Sequence, residues 1–137
     1  MNKLNHYQID YLPGRFELRL EDEYLMRSHF EIEPPLFKQL CIDLTTQVVS
    51  YEEAYDEIDI ANFPSPKSEI YTYDHKELTA CRFESIRDIF TLTMTYNALI
   101  SSEELTLEVS PRHAKRFAVD CANSIVHYEE MYGLIEL

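Results

Sequence analysis

Two apolar periods divide this 137-residue chain, and together they limit what it can fold into. Phe90, Leu92, Met94 and Tyr96 alternate with Thr91, Thr93 and Thr95. A period of two puts one set on each face of a strand, and β-branched threonine suits the pleated, half-exposed side. Leu105, Leu107 and Val109 alternate in the same way, and Ser101-Ser102-Glu103-Glu104 between the runs predicts an antiparallel pair. Tyr7, Ile9 and Tyr11 precede Pro13-Gly14, and Phe16, Leu18 and Leu20 follow it, which predicts a β-hairpin.

Elsewhere the period is helical. After Pro34-Pro35, the residues Leu36, Phe37, Leu40, Cys41, Leu44 and Val48 recur at three and four, and Tyr51, Ala54, Tyr55 and Ile58 continue the spacing. A helix over about 36–58 follows, its prolines tolerated in a first turn whose N–H groups have no partner to lose. Ser110-Pro111 supplies an N-cap and a proline at the first helical position, Ala114, Phe117, Ala118, Cys121, Ile125 and Tyr128 form a stripe, and Gly133 closes a helix over 111–132. Asn62 to Pro66 reads as a loop and Ile70 to Tyr73 as a short strand. Tyr24 to Ile32 is ambiguous, and Lys76 to Arg87 fits either a helix or a strand. The expected architecture is a single α+β domain spanning 1–137, with two main helices on a mostly antiparallel sheet.

Cys41, Cys81 and Cys121 stand forty residues apart, but no common apolar register surrounds them and no repeat is read from them. An odd number without a CxxC pair points to a reducing compartment, hence a cytoplasmic protein, and to small buried hydrophobes. No apolar run exceeds three residues, so neither a membrane span nor a secretory signal is expected.

Much chemistry is excluded by what the chain lacks. Gly14 and Gly133 are its only glycines, which leaves no glycine-rich loop for a phosphate and no EF-hand turn. His6, His29, His75, His113 and His127 never fall at HxH, HxxxH or HExxH spacing, so no metal site or other cofactor is expected. Nucleophile and base pairs such as Cys81 with His75, or Ser110 with His113, arise by chance in any chain of this size, and no catalytic residue is assigned.

The charge carries the functional reading. The chain has 25 acidic and 12 basic residues, with a net charge of −13, which disfavours nucleic acid and anionic membrane and favours a basic protein partner. Asp43, Glu52, Glu53, Asp56, Glu57 and Asp59 lie between Lys38 and Lys67 with no basic residue among them, and Asp120, Glu129, Glu130 and Glu136 follow Arg116 unopposed. On a continuing helix Glu52, Asp56 and Asp59 would share one face, bordered by Tyr51 and Tyr55 as anchors. The pairs Glu52 with Asp56 and Glu53 with Glu57 would each oppose that helix by about 0.2–0.5 kcal/mol. Glu129 and Glu130 would extend the surface if the two helices pack side by side. The expectation is a small acidic inhibitory or protein-binding protein on a partner's basic surface: an immunity protein against a cationic nuclease toxin, or a nucleic-acid mimic. The alternatives are a small enzyme with a dispersed site, and an adaptor or subunit of a larger assembly.

Overall fold

The Pro13-Gly14 break makes the turn that the flanking alternation requires, with Gly14 at φ 83°, a conformation that favours glycine. A computed structural model describes residues 1–72 and 74–137. The turn joins β1 (Asn2–Leu12) to β2 (Arg15–Asp22), and β3 (Arg27–Ile32) completes an antiparallel meander before α1 (Pro34–Ala54). The second half repeats the order with β4 (Lys76–Ile86), β5 (Ile89–Asn97), β6 (Ser102–Val109) and α2 (Pro111–Tyr132). The fold is α+β, with a mostly antiparallel six-stranded sheet and two helices.

Two open stretches are resolved and two expectations are corrected. The ambiguous stretch Tyr24 to Ile32 holds β3, and the undecided stretch Lys76 to Arg87 is β4. Ile70, Tyr71 and Thr72 form no strand; the last residue of that expected strand, Tyr73, lies outside the described residues. The first helix ends at Ala54 rather than near Ile58, because Tyr55 caps it and the carboxylate of Glu52 takes the N–H of Ile58 at 2.8 Å, turning the chain out of the helix.

A repeat is present after all, with a period that the cysteines do not reveal. Strands β1 and β4 correspond at an offset of 74: their hairpins close at Leu12↔Arg15 and Ile86↔Ile89, and the register shifts between Leu4 and His6 and again between Leu78 and Ala80. Phe16, Leu18 and Leu20 answer to Phe90, Leu92 and Met94, all buried. The helices correspond at an offset of 77, which pairs Tyr51-Glu52-Glu53-Ala54-Tyr55 with Tyr128-Glu129-Glu130-Met131-Tyr132.

The two meanders close into a barrel through two short parallel seams, Phe30↔Lys76 with Glu31↔Glu77, and Asn2↔Leu107 with Lys3↔Glu108. These seams are equivalent under the same offsets, so an approximate twofold axis relates the halves. Paired residues share a face, so Tyr7, Ile9, Tyr11, Phe16, Leu18, Leu20, Phe30 and Ile32 line one side of the first meander. That side meets the helices. Phe16 stacks on Phe37 at 4.1 Å between centroids, Tyr128 lies 4.9 Å from Phe16, Tyr7 lies 4.7 Å from Phe117, and Tyr51 lies 5.2 Å from Phe90. One contiguous apolar core results.

Candidate interaction surface

Lysine and glutamate set the ends of both helices. Lys115, near the start of α2, donates to the Glu52 carboxylate at 2.7 Å and to the Ile58 carbonyl at 2.7 Å, while Glu52 accepts the Ile58 N–H. The equivalent set is Lys38 to Glu129 at 2.9 Å and to the Ile135 carbonyl at 2.9 Å, with Glu129 accepting the Ile135 N–H at 2.8 Å. These bonds hold both carboxyls below the usual carboxylate range, the lysine bond acting most strongly and the backbone N–H next. Lysine in the second turn and glutamate in the last turn run against the helix dipole, and this cross-helix bracket accounts for the pattern.

The bracket changes what the acidic residues can do. Glu52 and Glu129 are committed to lysines of the same chain. The reciprocal contacts make α1 and α2 antiparallel, so Glu52 and Glu129 sit at opposite ends of the pair. Fourteen residues of helix separate Lys38 from Glu52, about 21 Å at 1.5 Å per residue. The expected continuous surface joining Glu52 and Glu53 to Glu129 and Glu130 therefore does not form, and Asp56, Glu57 and Asp59 lie beyond α1 rather than on its face.

What remains is concentrated at the C-terminus of α1. Glu53, Tyr55, Asp56, Glu57 and Asp59 are all exposed, while Tyr51 is half-buried against Phe90 and Tyr55. The Asp56 carboxylate accepts the Glu57 N–H at 2.8 Å and that of Asp59 accepts the Ala61 N–H at 2.9 Å, so local bonds fix this turn. Glu57, Ile58, Asp59, Ile60, Ala61 and Lys115 line a shallow depression of about 430 Å³. The last carbonyls of α1 add partial negative charge there, and no basic residue occupies its last turn.

A second cleft, of about 270 Å³, lies between β1 and α2. Asp120 accepts from the Tyr7 hydroxyl and from Ser65 Oγ, the latter at 2.7 Å, and His127 lines the same cleft. Burial, then the bond to Asp120 and its charge, push the Tyr7 phenol far up. The phenol therefore stays protonated, and both its proton and that of Ser65 are spent on Asp120. Period analysis missed this constellation because its members come from three separated segments.

The chance nucleophile pairs resolve into structure. Ser110 Oγ contacts His113 Nδ1 at 2.8 Å and also accepts the His113 N–H, which is the N-cap of α2. The Cys81 thiol is pushed up to about 12 by burial and then by the charge of Asp43, and His75 faces Glu31 at 3.1 Å instead. All three cysteines are free, with Cys41 and Cys121 buried. Among the described residues no group of three His, Cys, Asp or Glu side chains is placed to hold a metal ion, and no helix is long and apolar enough to cross a membrane. The chain matches no protein-family model and no curated protein.

Proposed function

We propose that this protein binds a basic surface of another protein through the C-terminal end of α1, most concretely as an immunity protein covering the active site of a cationic nuclease toxin, or as a nucleic-acid mimic. The observation that carries the reading is the run Glu53, Asp56, Glu57 and Asp59, exposed beside Tyr55, with the neighbouring cations already engaged, Lys115 by Glu52 and Arg116 by the Ile60 and Phe63 carbonyls. An acidic patch reinforced by a helix C-terminus speeds encounter with a basic partner, and an exposed tyrosine offers a rigid anchor once the surfaces meet.

The test is retention. Immobilised protein is incubated with native lysate at low salt, and bound proteins are eluted along a salt gradient. A basic protein should be retained and should be lost when Glu53, Asp56, Glu57 and Asp59 are all changed to lysine. Retention of no basic protein, or equal retention by the reversed variant, refutes the reading. Glu52 is left unchanged in that variant because its removal would open the bracket with Lys115.

A further inference from the structure

The repeat gives the outer side of the helix pair an unusual property, which is that it resembles itself. Ile42 and Val49 on α1 answer to Val119 and Val126 on α2 at the same offset, and all four point away from the barrel at 41%, 47%, 36% and 51% exposure. Residues seven apart fall within about 20° of one another around a helix, so each pair forms a short apolar stripe along the outer face. Between the helices runs a mostly apolar groove of about 270 Å³, lined by Val48, Val49, Ala118, Val119 and Ala122 with Thr45 and bounded by the Glu52–Lys115 pair.

The ends of the α2 stripe are charged with opposite signs. Arg112 and Glu130 are eighteen residues apart, five helical turns, and so lie on the same line as Val119 and Val126. Both are exposed, and neither forms an ion pair among the described residues. Arg112 is therefore a free cation at one end and Glu130 a free anion at the other.

We propose that this face docks a second copy of the chain. A twofold axis lying in the plane of the face and perpendicular to the helices sets α2 antiparallel on α2 of the second copy. Val119 then stands opposite the partner's Val126 twice, and Arg112 lies three residues, about 4.5 Å along the axis, beyond the partner's Glu130, a distance that its long side chain spans, again twice. The same operation places Ile42 of α1 against the partner's Val49. Helices of about 32 Å lying 8–10 Å apart present a face of roughly 600 Å² per copy, approaching the roughly 800 Å² per partner of a standard specific interface. Asp56, Glu57 and Asp59 lie beyond the helix end and remain open, so this contact shares with the acidic patch only Glu53, the α1 counterpart of Glu130.

Sedimentation equilibrium and light scattering over rising protein concentration test the proposal at about 0.15 M salt, where the mutual repulsion of two acidic chains is screened beyond about 8 Å. The expected mass is twice the 16.2 kDa of one chain. Arg112→Glu or Glu130→Arg alone sets like charges together twice and should weaken association about tenfold or more, while the two combined should restore it to within about threefold. Val119→Asp should abolish the dimer; as that residue borders the groove, circular dichroism checks that the fold survives. A mass that stays monomeric up to the highest concentration overturns the proposal. So does a dimer indifferent to the single charge changes, or one that the combined change fails to rescue.

Discussion

The two halves of the molecule are an internal control on each other. Where the same residues make the same contacts, the fold uses them twice: Lys38 and Lys115, Glu52 and Glu129, Ile58 and Ile135 build one bracket in two copies. Where they differ, the difference calls for a separate account. After the bracket glutamate the first half continues with Asp56-Glu57 and the second with Gly133-Leu134. Gly133 adopts φ 101° and ends α2 cleanly, whereas the first half spends the same positions on exposed acids. The cleft beside β1, with Tyr7, Asp120 and Ser65, likewise has a counterpart in which Cys81 replaces tyrosine and, among the described residues, Asp43 accepts only from Gln39. The comparison teaches that Glu52 and Glu129 belong to the architecture, while Asp56 and Glu57 belong to one half alone.

The severest way to break this comparison is in the core. Phe16→Ala and Phe90→Ala remove equivalent, fully buried rings and should each cost about 3–5 kcal/mol in urea unfolding. Phe16 should fall toward the upper end because it loses its stack on Phe37. A difference above about 3 kcal/mol between the two would show that the halves are alike in outline but not in packing.

A smaller effect sharpens the contrast between the clefts. Tyr7→Phe leaves Asp120 short of one donor and should cost about 1–2 kcal/mol, whereas Cys81→Ala, which breaks no hydrogen bond, should cost about 1 kcal/mol or less. Equal losses in chemical denaturation would remove the distinction. The brackets are best read through pH. Because the folded state holds the Glu52 and Glu129 carboxyls below their ordinary 4.5, their contribution is complete above that pH and is lost as pH falls below it. The double variant Glu52→Gln with Glu129→Gln should therefore lose less stability than the parent between about pH 5 and about pH 3. Identical acid sensitivity would deny the brackets any role. The smallest change is expected at the exposed acids: lysine at Glu53, Asp56, Glu57 and Asp59 together should shift unfolding by no more than about 0.5 kcal/mol, toward greater stability, since cations suit a helix C-terminus.

Local patterns carried much of this fold. The alternations around Pro13-Gly14 and from Phe90 to Val109 became strands, and Pro34-Pro35 and Ser110-Pro111 opened helices. What escaped was non-local. The parallel seams rest on two residue pairs each and leave no periodic trace, and the end of α1 is set by Lys115, 63 positions away from Glu52. The repeat itself was legible in Tyr-Glu-Glu-x-Tyr-x-x-Ile, present at Tyr51 and again at Tyr128. It was masked because the evenly spaced cysteines suggest a period of forty, and Cys41, Cys81 and Cys121 occupy unrelated places in the two units. Of the expected surface, the acids beyond α1 were visible as charge, but their division into bracket and exposed patch was not.

The crossed brackets also govern how the chain comes to be folded. Each meander can pair its strands from neighbouring sequence, yet each helix is finished by a lysine from the other half, across 91 residues for Lys38 to Glu129 and 63 for Lys115 to Glu52. A first half emerging alone can form its hairpins but has no cation for Glu52 or for the Ile58 carbonyl. Strand pairing is available to each half by itself, whereas the ends of both helices wait on the presence of the other half.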